Sequence, residues 1–417
     1  MVSTPMATDL AASRPGDPPP LPEDMVPKDM EPEDMDALAR AFARTHTLFF
    51  DIGTLRETQF TGIPNVAANL AREVLATNLP CHFFIGENII RPEFIRFLLD
   101  TNGGAFFGYH HQFGQAMAGS LLAKVAETPR SVGLFPAEKP FHRLFDVELQ
   151  VLHDFSTLAT PYFHLHATNA LHGASLLADI ASNDLNFCVS TATAEYLKRL
   201  APAAADRVAV SLNGVRWPDH FGPQAEALFG SLAFEPFVVI LGTIEPRKNL
   251  EIVFRALAQD RDLMRRYRFI FMGKEGWLFD FGNGVKRHLG EMPENFTYAG
   301  FVSEFKKYCL LRYARFSLYP SLFEGFGLPI LESFSVGVPV VYSASSSMPE
   351  VAGEVGYVFP PDSPQGLLAA IYRMEAAQAQ DPRAVRAACL ARAGAFPWQR
   401  MLRTILHETL NLERRPR

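Results

Sequence analysis

The feature that most constrains the fold is an alternation of short apolar runs with glycine-bearing loops and amphipathic stretches, which begins near residue 47. Runs such as LFFDI (48–52) and VELQVL (147–152) have the length of buried strands, and IPNVAANLAREVLA (63–76) carries apolar residues at helical spacing. NFCVS (186–190) and VAVSL (208–212) continue the series. Strand, loop and helix in repetition favour a mostly parallel sheet covered by helices on both faces.

A second series of the same kind follows the irregular stretch LNGVRWPDHFGPQ. Its predicted strands are FVVIL (237–241), RFIFMG (268–273), FTYAG (296–300), FSLYP (316–320) and VPVVYS (338–343). A chain of 417 residues exceeds the size at which one core keeps growing. We therefore predict two doubly wound, Rossmann-like α/β domains, at 43–225 and 226–395, with a ligand in the cleft at the carboxyl ends of their strands.

The two ends of the chain have a different composition. Residues 1–42 contain a PPP triplet and the repeat PEDM, PKDM, PEDM, so we predict a disordered acidic tail. The first 36 residues hold nine acids and two bases, which leaves the remainder nearly neutral against a total charge of −6 and does not favour nucleic acid as a partner. Trp398 opens an amphipathic stretch, and we predict a terminal helix within 396–417.

Several classes of protein are disfavoured. Cys81, Cys188, Cys309 and Cys389 lie far apart with no CxxC spacing, which argues against a zinc site or a disulfide framework. No run of 18 apolar residues and no secretion signal is present, so the expected location is the cytoplasm, with peripheral contact at the inner membrane face left open.

A basic pair follows the first strand of the second series. The strand 237–241 leads into Gly242, and Arg247 and Lys248 come immediately before Asn249 and a predicted helix. Two cations beside a helix N-terminus suit a phosphate, because unpaired backbone N–H groups and the helix dipole add to the side-chain charge. A solvated basic pair is the alternative, and it would be preferred if the pair did not follow a strand.

Two glutamates flank a glycine-rich turn in EGFGLPILE. Glu324 lies in the loop after the strand 316–320, and Glu332 lies about one turn into the helix that begins near Leu328. The glycines at 325 and 327 allow backbone to approach a ligand closely. Carboxylates accept paired sugar hydroxyls, so one glutamate suits a hexose and the other a ribose. Taken singly, each glutamate is an ordinary polar surface residue.

The histidines do not form a metal signature. The spacing of His164, His166 and His172 matches no zinc pattern, so core or surface roles are preferred and no metal site is predicted. His110 and His111 lie in the aromatic stretch GYHHQFG, which suits either an acceptor cleft or loop packing.

Three stretches together resemble the retaining, nucleotide-sugar-dependent glycosyltransferases of the GT-B fold, usually called family 4. They are VSLNGV, ILGTIEPRKNLEIVFRAL and EGFGLPILESFSVGVPVVYSASSSMPEVAGEVGYVFPPDSP. The resemblance covers residues 208–413, with E-x7-E, the RKN loop and PEVAG in the family's order. In the first half it depends on TGIPNVAANL (61–70) and VLHDF (151–155).

The resemblance implies roles for the glutamates and the basic pair. Glu324 would hold the hydroxyls of the donor sugar, and Glu332 would hold the ribose. Arg247 and Lys248 would neutralise the donor diphosphate.

It also implies roles for backbone groups and for the first domain. Backbone N–H groups around Phe326, Gly327 and Leu328 would contact the diphosphate. His153 would face the donor sugar near the reacting carbon, and Gly62 would lie in the loop that approaches phosphate and acceptor.

One position departs from the family's pattern. Many relatives have an arginine directly after the glycine of the donor loop, where this chain has Thr243 after Gly242. The pair Arg247–Lys248 resembles the subgroup with an EPRKN loop, in which the arginine comes from this later position.

The implied activity is retaining transfer of a hexose from a nucleotide diphosphate sugar to a glycan or lipid-linked saccharide, in bacterial polysaccharide or glycoconjugate synthesis. No cofactor is expected, and GDP-mannose is the first donor suggested by the EPRKN subgroup. A catalytically silent nucleotide-sugar-binding scaffold on the same fold is the alternative, which Thr243 and the acidic tail keep open. A sugar phosphorylase shares the architecture, but its cofactor-lysine context is absent from the sequence.

Overall fold

A computed structural model of the chain describes residues 32–57, 62–100, 114 and 116–412 and contains two β-sheets. The first sheet has eight strands in the order β4-β3-β2-β1-β5-β6-β7-β8, and the second has six in the order β11-β10-β9-β12-β13-β14. The strands are β1 Thr47–Asp51, β2 Cys81–Ile85, β3 Asn88–Ile90, β4 Met117–Ser120, β5 Ser131–Phe135, β6 Val147–Leu152, β7 Leu185–Cys188, β8 Val208–Val210, β9 Phe237–Leu241, β10 Arg268–Met272, β11 Phe296–Gly300, β12 Phe316–Tyr319, β13 Val340–Ser343 and β14 Tyr357–Phe359.

Helices cover both sheets. They are α1 Pro32–Ala43, α2 Gly62–Ala76, α3 Pro92–Asp100, α4 Leu121–Glu127, α5 Ser156–Ala159, α6 His166–Ser182, α7 Thr191–Leu200, α8 Phe221–Phe229, α9 Leu250–Gln259, α10 Arg261–Arg266, α11 Phe281–Leu289, α12 Glu304–Tyr313, α13 Leu328–Ser335, α14 Met348–Ala352, α15 Pro364–Gln380, α16 Pro382–Gly394 and α17 Trp398–Leu412. The prediction of two α/β domains with Rossmann-like parallel sheets is confirmed.

The central strands are buried on both faces, which explains their continuous apolar sequence. Leu48, Phe49 and Phe50 are each completely buried in β1, which pairs in parallel with β2 and β5. In the second sheet β9 pairs in parallel with β10 and β12, so its carboxyl end lies between theirs. This arrangement brings the loops after β9 and β12 to one place.

One edge of the first sheet is antiparallel. β3 runs antiparallel to both β2 and β4, and all the other strand pairs of the two sheets are parallel. A tight turn at Gly86, with φ of +55°, joins β2 to β3. The sequence series did not predict this edge, because β3 and β4 are too short to give an alternation.

The prediction that residues 1–42 form a disordered tail is wrong for residues 32–42; residues 1–31 lie outside the described part. Residues 32–43 form α1, and Met35, Ala39 and Phe42 are buried in the main core. Their spacing of three and four residues places them on one helix face. That face packs against α17, which also packs against α2 of the first domain. The apolar surface of α17 therefore supplies the burial that the tail sequence could not reveal.

The domain boundary lies earlier than residue 225. Helix α8 packs in the second domain, where Phe221 and Ala225 are buried with Phe237 of β9 and Tyr308 of α12. The first strand of the second series is thus preceded by a helix of its own domain. Near the boundary between the two domains, a Cβ at Gly214 would lie 2.5 Å from the backbone nitrogen of Trp398. Glycine is therefore required where the segment at 214 touches the start of α17.

Candidate functional site

The basic pair lies where the sequence predicted, at the carboxyl end of β9. Gly242 follows the strand with φ of +151°, and a Cβ there would lie 3.1 Å from Cε of Lys248. Thr243 is partly exposed beside it. Arg247 and Lys248 occupy a short 3₁₀ turn, Pro246–Lys248, and Asn249 then adopts a left-handed conformation with φ of +52° before α9 begins. This tight path folds the lysine stem back over the end of its own strand.

Asn249 ties the basic turn to the neighbouring strands. Its side-chain amide donates to the carbonyls of Pro320, at the end of β12, and Pro361, after β14, at 3.2 and 2.9 Å. The backbone nitrogen of Leu322 donates to the carbonyl of Arg247 at 2.8 Å. The turn after β9 and the loop after β12 are therefore held together by the protein itself.

Glu324 joins both cations. Its carboxylate lies 2.5 Å from Nζ of Lys248 and 3.1 Å from a guanidinium nitrogen of Arg247. Arg247 also pairs with the buried Glu245 at 2.7 Å and donates to the carbonyl of Phe323 at 2.8 Å. The sequence placed Arg247, Lys248 and Glu324 at one site but did not predict that Glu324 and Glu245 would together pair with both cations before any ligand binds.

The charged neighbours of Glu324 and Tyr319 shift the pKa of each side chain. Burial alone would raise the pKa of Glu324, but Lys248 and Arg247 outweigh burial and lower that pKa to about 2. Glu324 is therefore ionised throughout the neutral range. Tyr319 lies under Lys248, whose Nζ is 5.3 Å from the ring centroid and 3.4 Å from the hydroxyl. The pKa of this tyrosine is raised well above its usual value because the ring is buried, and Glu324 adds to the shift.

In the donor loop, which we define as residues 321–328, the backbone carbonyls are hydrogen-bonded within the described part of the protein, whereas most of the backbone N–H groups are not. Side chains take every carbonyl from Ser321 to Phe326, the donors being the hydroxyls of Ser343, Ser345, Ser346, Ser347, Ser190 and Thr193 and the guanidinium of Arg247. Within the described residues, no protein acceptor receives a hydrogen bond from the backbone N–H groups of 324–328. Gly327, with φ of +110°, then precedes the first turn of α13, which starts at Leu328.

Unpaired N–H groups at the start of a helix attract anions, because they carry the positive end of the helix dipole. The side chain of Phe326 does not contribute to such a site, since it is buried and packs 6.1 Å, centroid to centroid, from Phe396. The contribution predicted for Phe326, Gly327 and Leu328 is therefore available only from their backbone.

Glu332 is separate from the cation cluster. It lies in the second turn of α13, and its carboxylate pairs with Nζ of Lys307 on α12 at 2.6 Å. Lys307 in turn lies 5.1 Å from the centroid of the Trp217 ring. Both side chains of the ion pair are mostly shielded from solvent, with 14% and 16% exposed. The position of Glu332 was predictable from the sequence, whereas its pairing with Lys307 was not.

His153 comes from the first domain, just after β6. Its Nε2 lies 2.6 Å from the carbonyl oxygen of Pro136, so Nε2 carries a proton and donates it, which leaves Nδ1 as an acceptor. Burial lowers the pKa of His153, which is therefore neutral at pH 7. A Cβ at Gly325 would lie 1.6 Å from the carbonyl oxygen of His153. The donor loop thus rests directly on the backbone of the first domain.

The remaining predicted positions are less informative. Gly62 is the first residue of α2, directly after residues outside the described part, and a Cβ there would lie within 4 Å of no atom of the described residues. His110 and His111 lie outside the described residues. The ring of His164 lies 5.9 Å from that of Trp277 across the cleft, while His166 begins α6. The described residues contain no group of three or more His, Cys, Asp or Glu side chains that could hold a metal ion.

A second contact crosses the cleft at Trp277, in the loop after β10. Its indole N–H donates to the carbonyl of Phe163, in the first domain, at 2.8 Å. Neither residue was predicted to lie at the site, although Trp277 follows the end of β10 and a glycine, just as Arg247 and Lys248 follow the end of β9 and Gly242.

Two mostly parallel sheets whose carboxyl ends meet at one cleft, with a basic turn after β9 and free amides after β12, define the GT-B class of glycosyltransferase. The model of the family "Glycosyl transferases group 1" matches residues 235–376. The chain is 33% identical over 276 residues to the O-antigen chain mannosyltransferase B of Escherichia coli, an alignment that covers 62% of this chain and 68% of that protein. The chain belongs to this glycosyltransferase family.

Two further similarities agree. The serotype-specific mannosyltransferase WbdA of Escherichia coli is 26% identical over 231 residues, which cover 53% of this chain but only 28% of that protein. The sucrose-phosphate synthase of Thermosynechococcus elongatus has the same fold, with a TM-score of 0.61 and 18% identity over 89% of this chain and 98% of its own. None of the helices within the described residues has both the length and the apolar character needed to cross a membrane.

Proposed function

We propose that this protein is a retaining glycosyltransferase of family 4, in the EPRKN subgroup, that transfers a hexose from a nucleotide diphosphate sugar to a glycan or lipid-linked saccharide in polysaccharide synthesis. The observation that carries the proposal is the group formed by Arg247, Lys248 and the free amides of 324–328 around Glu324. Cations and unpaired N–H groups together suit a diphosphate, and a carboxylate in the same place suits sugar hydroxyls.

Donor binding would exchange the partners of Glu324. In the free protein this carboxylate forms ion pairs with Arg247 and Lys248. A diphosphate carries the charge that replaces it, which frees Glu324 to accept hydrogen bonds from the sugar. Arg247 and Lys248 would then stabilise the negative charge that develops on the leaving diphosphate, and a leaving phosphate oxygen would take the proton of the acceptor hydroxyl on the same face of the sugar.

GDP-mannose is the first donor to test. Both Escherichia coli relatives described above are named as mannosyltransferases, one of them for the O-antigen chain, and the EPRKN loop agrees with that choice. The Glu332 carboxylate would accept hydrogen bonds from the ribose hydroxyls, either in exchange for its ion pair with Lys307 or while keeping that pair. The proposed location is the cytoplasm, with peripheral contact at the inner membrane face left open.

The first experiment is a calorimetric screen of the full chain with UDP, GDP, ADP and dTDP and their common sugar conjugates. Selective binding of GDP and GDP-mannose, followed by release of mannose with retained anomeric configuration in an NMR assay, is the expected result. Selective binding of another nucleotide would replace the donor assignment. Binding of a nucleotide sugar with neither hydrolysis nor transfer would favour a silent nucleotide-sugar-binding scaffold instead.

A further inference from the structure

Two residues of the first domain donate hydrogen bonds to the donor loop of the second domain. The carbonyl of Gly325 receives two hydrogen bonds, from the hydroxyl of Ser190 at 2.6 Å and from that of Thr193 at 3.0 Å. Ser190 is the N-cap residue of α7 and Thr193 lies in its first turn, and both residues are buried. Every other carbonyl from 321 to 326 is taken by a side chain of the second domain itself.

The second domain returns a contact to the same helix end. Glu350, in the PEVAG stretch, accepts hydrogen bonds from the backbone N–H of Thr191, at 3.0 Å, and from its hydroxyl, at 2.8 Å. A carboxylate at a helix N-terminus satisfies free N–H groups and complements the helix dipole. Each domain therefore contributes side chains to the other: hydroxyls of the first domain donate to the donor loop, and a carboxylate of the second domain accepts from the N-terminus of α7.

We infer that Ser190 and Thr193 are positioning residues that couple closure of the two domains to assembly of the anion-binding amides in the donor loop. When the domains separate, the Gly325 carbonyl loses both of its donors, and the peptide unit that it belongs to is free to turn. The neighbouring N–H groups of 324–328 then lose their common orientation. When the domains close, the hydroxyls fix that peptide and the amides remain available for a ligand.

The close contact at Gly325 makes this coupling sensitive to domain position. Because a Cβ at this residue would overlap the His153 carbonyl, the loop and the first domain touch with no side chain between them. An opening of the cleft by a few ångströms exceeds the range of both hydroxyl hydrogen bonds. The inference rests on the proposed function only in taking the anion to be the donor diphosphate.

Thr193→Val is the cleanest variant, because it keeps the shape and the backbone N–H that the Ser190 hydroxyl caps at 3.0 Å. Ser190→Ala with Thr193→Val removes both donors, whereas Thr193→Ser keeps both hydroxyls. Ser211→Ala is the matched control, since Ser211 is also completely buried and donates to a backbone carbonyl, that of Met401, away from the donor loop.

Hydrogen–deuterium exchange of the full chain without ligand is the first measurement. We expect the double variant to exchange roughly tenfold faster at the hydrogen-bonded amides of the peptide that spans 322–335, which are those of Leu322 and of α13 from Ile330 onward, because the loop between them loses two hydrogen bonds that hold it in place. Thr193→Val should lie between it and the wild type, and Thr193→Ser should match the wild type. Unchanged exchange in the double variant, or equal acceleration in Ser211→Ala, would overturn the inference.

Calorimetry with GDP and UDP on the same proteins separates this inference from the proposed function. If the wild type binds a nucleotide, the double variant should bind it roughly tenfold more weakly, and equal affinity would again overturn the coupling. If the wild type binds no nucleotide, the donor assignment fails, and the exchange experiment alone still decides whether the hydroxyls order the loop.

Discussion

Glu324 and Lys248 form an ion pair of 2.5 Å that joins the loops after two neighbouring strands, β12 and β9. Arg247 also pairs with Glu324 and with Glu245, so two carboxylates balance the two cations of the basic turn in the absence of a ligand. A diphosphate must therefore compete with a carboxylate that the protein supplies.

Glu324→Gln should destabilise the free protein by about 3 kcal/mol, because two buried cations lose a shared partner. Pyrophosphate should then raise the melting temperature of the variant more than that of the wild type, since the anion replaces the lost charge without displacing a carboxylate. Differential scanning calorimetry with and without pyrophosphate measures both effects. A smaller anion effect in the variant would contradict the exchange of partners.

The folded pKa of Glu324, about 2, lies below its ordinary value of 4.5, so its ion pairs contribute stability above about pH 4.5 that is lost as the pH falls toward 2. The stability difference between the wild type and Glu324→Gln should therefore shrink steadily over that range. Urea unfolding at several pH values gives the difference directly. A constant difference down to pH 2 would mean that the charge of Glu324 is not the cause.

Lys248→Ala should lower the rate of transfer by an amount equivalent to about 2–4 kcal/mol of transition-state stabilisation, because a cation near the leaving diphosphate is lost. Steady-state kinetics with the identified donor measure the loss. Lys286→Ala is the control, since Lys286 is an exposed lysine on α11. Equal turnover in Lys248→Ala and in the wild type would remove the phosphate role of the basic pair.

Glu332→Ala should weaken binding of the nucleoside diphosphate roughly tenfold, as a charged acceptor for ribose hydroxyls disappears. The substitution also leaves Lys307 without its partner at 2.6 Å, so Lys307→Ala and the double variant are needed as controls. If the ribose assignment is correct, the double variant binds as weakly as Glu332→Ala. Recovery of wild-type affinity in the double variant would trace the effect to the unpaired lysine.

Asp51, the last residue of β1, gives a pH effect of the opposite sign. Burial raises its pKa from 3.8 to about 6, although the Gly53 N–H donates to the carboxylate at 2.9 Å. Since the folded state holds the proton more tightly, this group costs stability as the pH rises from about 4 to 6, and the cost persists above that range. Asp51→Asn should be more stable than the wild type by about 2–3 kcal/mol at pH 7, and equal to it below pH 4. Chemical unfolding at both pH values tests this.

The sequence predicted the parts of the molecule that depend on local pattern. Buried parallel strands are continuous apolar runs, so β9 and β12 were identified within one residue at each end, and strand-end placement brought Arg247, Lys248 and Glu324 to one region. The pairing among these three side chains depends on rotamers and on distances across the sheet, which the sequence does not encode locally. Hydroxyls such as those of Ser345 and Ser347 are equally typical of any loop, so their bonds to the donor loop were not predictable.

The burial of helix α1 was also not predictable from local sequence, because it depends on contact with a distant helix. Its three buried positions, Met35, Ala39 and Phe42, follow a helical spacing, but the sequence does not show that α17 provides the surface that buries them. Phe42→Ala should therefore reduce the free energy of unfolding by about 3–5 kcal/mol, as expected for truncation of a completely buried phenylalanine. Leu122→Ala, at a residue of α4 with 45% exposure, should cost far less and serves as the control. Equal unfolding energies for Phe42→Ala and the wild type would return residues 32–43 to the tail that the composition predicted.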